Sequence, residues 1–371
     1  MNAAEVFAPG EFLKDELEAR GWTQAELGEI MGRPTRLVNE IIAGKRGVTP
    51  ETAMQLASAL GTSPDFWMNL ESQYQLSKVR NTNDNAVARR AALYAKYPVT
   101  EMIKRGWVLA SERIDVLEQN FAAFFGVDSL DTQPKFAHAA KKSLPESEVS
   151  FIQLAWLFRA RAVATAQVLS KYSEAALIAA IPKLKALLSA PEEVRHVSRI
   201  LAECGVRYVL VEALKGSKID GACFWIGDKQ PVIAMSLRLN RIDNFWFVLR
   251  HEIEHVLQRH GQDVGFILDQ DIEVAIEPDR EEEEKVANLA AAEFCVSRFE
   301  LSNFIARVQP FFSEEKVVGF SRRIQTHPGI VVGQLHKALG RYDFLRAHQV
   351  RIAQIVTQSA TADGWGITEQ M

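Results

Sequence analysis

Residues 21–46 read GWTQAELGEIMGRPTRLVNEIIAGKR, and the organisation of the first part of the chain follows from them. Thr23-Gln24-Ala25-Glu26 has the form of a capping box: the Thr23 hydroxyl accepts from the Glu26 amide and the Glu26 carboxylate reaches back. The helix it opens carries Leu27, Ile30 and Met31 and stops at Gly32. Pro34 suits the first turn of a further helix running to about Ile42, with Leu37, Val38, Ile41 and Ile42 inward. Two helices joined by Gly32-Arg33 have helix-turn-helix spacing, the second being the reader. Thr35, Arg36 and Asn39 then lie on its exposed face, and Lys45 and Arg46 follow in the next loop, placed for backbone phosphates.

Outward from this stretch, Glu11 to Arg20 carries Phe12, Leu13 and Leu17 at helical spacing and ends at Gly21. Thr49-Pro50-Glu51 and Ser63-Pro64-Asp65 repeat one device: a hydroxyl cap, a proline whose missing amide costs nothing, and an acid in the positive first turn. Five short helices are predicted over residues 11–73. Residues 1–75 hold six Lys/Arg against eleven Asp/Glu, so attraction to a polyanion has to come from the local patch and from pairing two such domains on a two-fold site.

The whole chain has 371 residues, 47% hydrophobic and 24% charged, with a net charge of −4. That composition excludes a disordered, collagenous or coiled-coil chain and a protein that coats nucleic acid non-specifically. Cys204, Cys223 and Cys295 give neither a disulfide framework nor a CxxC zinc site. With no apolar run of about 18–20 residues and no export signal at the N-terminus, no membrane role is expected, and the expected compartment is the cytoplasm.

Residues 77–93, with Asn81, Asn83, Asp84 and Asn85, read as a linker or a helix start. Helices are predicted around 100–103 and over 112–125, 146–169 and 173–188, packing through residues such as Phe121, Phe125, Trp156 and Phe158. After Gly205, residues 206–211, 222–226 and 231–237 read as strands, with a hairpin turn at Gly227-Asp228-Lys229-Gln230. Strand 231–237 is expected at an exposed edge, open to an extended peptide. Asp243 is expected to cap a helix from Asn244 to Arg259. Within it lies His251-Glu252-Ile253-Glu254-His255.

Residues four apart share a helix face, so both imidazoles can approach one metal ion, with Glu252 close by to take a proton from water. At least one more ligand is needed, and the acidic stretch EEEEKVANLAAAEF offers Glu281, Glu282, Glu283, Glu284 and Glu293. Spacing alone leaves that choice open. His327, before Pro328, is a candidate oxyanion donor or a helix cap. His260 reads as a C-terminal helix cap, and the residues after Ser359 as a fraying tail.

From Pro9 to Leu76 the chain resembles the DNA-binding antidote proteins of the HigA type, within the phage-repressor-like helix-turn-helix family. The resemblance implies a homodimeric repressor on a double-stranded operator, often autoregulatory and sometimes paired with a cognate toxin. It places the reader positions on Thr35, Arg36 and Asn39. LRLNRIDNFWFVLRHEIEHVL and EEEEKVANLAAAEF, with HPGIVVG near the end, resemble the metallopeptidase-like family named after ImmA and IrrE. There an acid three residues before an Ala-Asn pair completes the zinc site, which Ala287-Asn288 puts at Glu284. The implied chemistry is a Zn2+ ion held by His251, His255 and Glu284, with Glu252 as general base, and a substrate that is a regulatory protein encoded nearby.

The fold class expected is therefore multidomain and mainly α with a small α+β domain. A five-helix helix-turn-helix bundle spans 1–76, a helical middle 77–195, and a zincin-like domain with a small β-sheet and the HExxH helix 196–358, before a flexible tail over 359–371. Two other functions fit the same residues: a repressor whose metal domain senses a ligand or binds a partner without hydrolysis, and an antitoxin-like interaction protein.

Overall fold

The computed structural model describes residues 7–131, 136, 149–262, 266–270 and 278–366, in two units, Met1–Ala92 and Leu93–Met371. α1 (Pro9–Arg20), α2 (Gln24–Ile30), α3 (Thr35–Ile42) and α4 (Pro50–Leu60) follow one another in the first unit, and α5 (Pro64–Lys96) starts in it and ends four residues past Ala92. Local chemistry sets their starts. The Glu26 amide donates to Thr23 Oγ1 at 3.2 Å and the Thr23 amide to Glu26 Oε2 at 2.7 Å, which closes the capping box. Thr49 and Ser63 accept from the amides of Thr52 and Phe66 in the same way. Leu13, Leu17, Leu27, Val38, Ile41, Leu56 and Trp67 form one buried core. Gly10 lets α3 seat directly on α1, since a Cβ there would lie 2.2 Å from the Ile41 carbonyl oxygen.

One expectation changes here. Residues 77–93 are neither linker nor helix start but part of α5, 33 residues long. No glycine or proline occurs between Pro64 and Pro98, and the modest helix penalties of Asn and Asp are outweighed by the Ala-, Arg- and Leu-rich run that follows. The side chains of Asn81, Asn83, Asp84 and Asn85 lie outside the described residues.

In the second unit α6 (Val99–Lys104), α7 (Ile114–Phe125), α8 (Phe151–Thr165), α9 (Glu174–Ala186) and α10 (Val197–Glu203) precede β1 (Arg207–Val211), β2 (Ile219–Ile226) and β3 (Gln230–Met235). Then come α11 (Ile242–Leu257), β4 (Phe266–Gln270), α12 (Pro278–Cys295), α13 (Arg298–Val308), α14 (Glu314–Arg323), α15 (Pro328–Leu339), α16 (Ala353–Val356) and β5 (Thr361–Asp363). Of the helix predicted over 146–169, residues 146–148 lie outside the described residues; Ser150 caps α8 through the Gln153 amide.

The sheet order is β4-β2-β3-β1-β5. β2 and β3 form the expected antiparallel hairpin, and β1 runs parallel to both β3 and β5. Both faces are covered, as the alternation along β2 shows. Cys223 joins the core built with α9, α10 and α11, whereas Phe224 meets Phe136, which in turn meets Phe158 of α8. α8 also ties to β1 through Trp156 Nε1, which donates to the Val211 carbonyl at 2.8 Å.

Two expectations about the sheet are corrected. β3 is its central strand, so the stretch 231–237 offers no free edge; the edges are β4 and β5. The chain after Ser359 does not fray at residues 361–363, which pair with Val209–Val211. What holds them is charge: Asp363 and Arg159, each 1% exposed, form a buried ion pair, and Trp107 Nε1 donates to Asp363 Oδ1 at 3.0 Å. A guanidinium inside the fold demands such a counter-charge.

α11 also starts earlier than expected. Its N-cap is Arg241, and the Ile242 amide donates to the Val350 carbonyl at 3.1 Å. Asp243 sits one position inside the helix, where it accepts from Arg241 at 3.1 and 2.5 Å. Among the described residues no helix is long and apolar enough to cross a membrane.

Candidate nucleic-acid interface and candidate metal centre

In the first unit α3 buries Leu37, Val38 and Ile41 and leaves Thr35, Arg36 and Asn39 exposed, with Lys45 and Arg46 exposed in the loop beyond. The five residues singled out in the sequence thus share an open surface. Arg36 Nε donates to Glu40 Oε1 at 2.7 Å, and Arg46 Nη1 lies 3.5 Å from Glu40 Oε2. The Arg36 hydrogen bond holds the Glu40 carboxyl below the usual carboxylate range.

Glu71 of α5 was not visible as a functional residue in the sequence. It is buried, and its carboxylate accepts from the Val48 amide at 2.9 Å and from Gln75 at 2.7 Å. It thereby fixes the turn that presents Lys45 and Arg46. No sequence signal marks it, because its partner is a backbone amide 23 positions away.

In the second unit α11 and α12 pack closely, and His251, His255 and Glu284 meet where they do so. The two Nε2 atoms are 2.8 Å apart, and Glu284 Oε2 and Oε1 lie 3.2 and 3.5 Å from those of His251 and His255 respectively. Ligands about 2.0–2.1 Å from a tetrahedral ion are about 3.3 Å from one another; the two carboxylate–imidazole separations are near that value and the imidazole–imidazole one is shorter, and the three residues form a group that could hold a metal ion. Both histidines are almost fully buried, and Glu284 is 16% exposed.

The other acids named beside Glu284 do different work. Glu282 is exposed, and Glu293 accepts from the Arg298 amide at the start of α13. The Glu281 side chain lies outside the described residues. Glu252 is fully buried and packs on β2, where a Cβ at Gly221 would lie 2.2 Å from its Oε1. Glycine at 221 is thus what admits the carboxylate, a requirement legible only once β2 and α11 are known to touch.

Glu254, on the same helix, pairs with Arg250 at 2.8 Å. Burial pushes its carboxyl up, but hydrogen bonds from Gln258 and Arg250 outweigh that and hold it below the usual range.

Two more histidines were singled out in the sequence, one with two expected roles and one as a helix cap. His327 caps α15: its Nδ1 accepts from the Gly329 amide at 3.0 Å. A Cβ on Gly329 would lie 3.0 Å from Ile242, at the first turn of α11. At about 1.5 Å per residue, His251 is roughly 13 Å further along that helix. Of its two expected roles His327 thus takes the cap, and it is not part of the His251–His255–Glu284 group. His260, read as a helix cap, instead places its Nδ1 2.9 Å from Nδ1 of His255.

Residues 13–67 match a family model described as helix-turn-helix. Antitoxin HigA-1 of Vibrio cholerae is 43% identical over 74 residues, which are 19% of this chain and 69% of that protein. The HTH-type transcriptional regulator YddM of Escherichia coli is 28% identical over 90 residues, 24% of this chain and 96% of that one. Among solved structures, the Pseudomonas aeruginosa antitoxin HigA with the higBA promoter is 33% identical, covering 22% of this chain and 89% of its own, with a TM-score of 0.21. Through its N-terminal unit, the chain belongs to the HigA-type helix-turn-helix family.

Proposed function

We propose that this protein is a HigA-like regulator that binds double-stranded operator DNA as a homodimer in the cytoplasm, and that its second unit is a zinc-dependent peptidase of the ImmA and IrrE kind acting on a regulatory protein or cognate toxin encoded nearby. The first half rests on the exposed row Thr35, Arg36 and Asn39 at the start of α3, with Lys45 and Arg46 behind it. Arg36 and Asn39 can reach base edges while Lys45 and Arg46 meet phosphates. Because the unit as a whole is acidic, two copies on a two-fold site would supply the affinity that one patch lacks.

The second half rests on the convergence of His251, His255 and Glu284 within 4.8 Å. Zinc bound there would supply Lewis acidity and bring the pKa of a water toward neutrality. Glu252, next to His251 on the same helix, would be the group to accept a proton from a water at that site and to return it to the leaving amine. Full burial of Glu252 and His255 favours a second reading as well, in which the ion serves a regulatory fold without hydrolysis.

Metal analysis of the purified full chain is expected to find about one zinc, lost in His255→Ala and Glu284→Ala. Glu252→Gln should keep the ion yet stop cleavage of neighbouring-gene products; cleavage at the wild-type rate by that variant would remove the general base. Zinc retained with no cleavage by the wild type selects the second reading. For DNA, Arg36→Ala should weaken operator binding and relax sequence preference, and Lys45→Ala should weaken it and flatten the salt dependence by about one unit of slope. Unchanged affinity and slope in both would end the interface assignment.

A further inference from the structure

A neutral imidazole carries one proton, so a histidine that offers one nitrogen to a cation must hold its proton on the other and give it to an acceptor. His255 turns Nε2 toward His251 and Glu284, and its Nδ1 faces Nδ1 of His260 at 2.9 Å. For that contact to be a hydrogen bond while Nε2 of His255 is the nitrogen turned to an ion, His255 Nδ1–H donates and His260 Nδ1 accepts. The proton of His260 then sits on its Nε2, which faces Glu283 Oε1 at 3.8 Å.

The ring of His260 is placed by the backbone around it. Arg259 takes a left-handed conformation, φ 57°, which turns the chain back at the end of α11. The His260 amide then donates to the His255 carbonyl at 2.9 Å. The His260 carbonyl accepts from Trp225 Nε1 at 3.0 Å and from Cys223 Sγ at 3.8 Å, both on β2. One residue further than a helix face allows, His260 is returned to that face and tied to the sheet.

We infer that His260 is a positioning residue for the metal centre: it accepts the Nδ1 proton of His255, so that Nε2 is the nitrogen His255 presents to the ion, and it fixes the plane of the ring. This rests on the metal-centre reading above. Glu283 is the charged end of the chain of contacts, facing the proton that His260 keeps.

The test uses full-length protein, with zinc affinity measured by competition with a chelating dye and the ligand-field spectrum recorded after Co2+ substitution. His260→Ala is expected to bind zinc about 10–100-fold more weakly and to shift the cobalt bands. His260→Gln restores an acceptor and should recover most of both changes. Wild-type affinity in folded His260→Ala would overturn the inference while leaving the metal centre standing. So would equal losses in the Ala and Gln variants with unchanged cobalt bands, which would mark a packing role. A wild-type chain that takes up neither ion overturns the metal centre and the inference together.

Discussion

Arg36 and Arg46 share Glu40 on an open surface, the Arg36 side chain being 86% exposed. Arg159 and Asp363 meet where each is 1% exposed. The chemical pairing is the same and the consequences are opposite. Water screens the first, so its arginines can exchange Glu40 for a phosphate at little cost. The second has no water to fall back on, and removing either member strands a charge in the core. A surface built to meet a polyanion keeps its charges loosely held, and a strand that must stay docked keeps its charge locked.

The largest way to test that contrast is Asp363→Ala. It should destabilise the second unit by about 3–5 kcal/mol, read as a lower urea midpoint in a transition followed by Trp fluorescence. Next comes Glu71→Ala, which leaves the Val48 amide without its carboxylate. A loss of about 1–3 kcal/mol in the unfolding of the first unit is expected, along with weaker operator binding as the Lys45–Arg46 loop loosens.

A smaller effect concerns His327, half-buried between these extremes. Burial first, and then the charge of His348, hold its pKa below 6.5. A histidine with a depressed folded-state pKa stabilises the fold above its unfolded value, and that contribution is lost as pH falls. Between pH 7.5 and 5.5 the wild-type melting temperature should fall more than that of His327→Asn, which caps α15 without titrating. The smallest effect is expected for Glu40→Gln: an unchanged unfolding midpoint, with operator binding strengthened and more salt-dependent because both arginines are released. A clear drop in stability would contradict the loosely held pair.

What could be read from the chain follows the reach of each interaction. The Thr23–Glu26 box, the hydroxyl–proline–acid starts at 49–51 and 63–65, and the 227–230 turn are decided within a few residues, and each was visible. The His251–His255 pair was visible for the same reason, being one helical turn apart. Glu284 came from a family resemblance, since among adjacent acids only the packing of α12 on α11 separates it from Glu282 and Glu283. β3 was misplaced at an edge because strand order depends on β1, a non-adjacent partner. The tail was misread because what holds Asp363 lies at Arg159 and Trp107, 204 and 256 positions away. His260 was missed because five positions beyond His255 points off the helix face, until the left-handed Arg259 brings it back.

The position of β5 bears on how the protein is made. Arg159 leaves the ribosome 204 residues ahead of the aspartate that neutralises it, an interval of roughly 10–40 s at about 5–20 residues per second. From the moment β1 itself is made until β5 follows it, the outer side of β1 is an unpaired template for any extended chain nearby. The nascent second unit is therefore open to mispairing and to holdase chaperones until β5 is translated, while the first unit, whose core residues lie between Leu13 and Trp67, is already free to close.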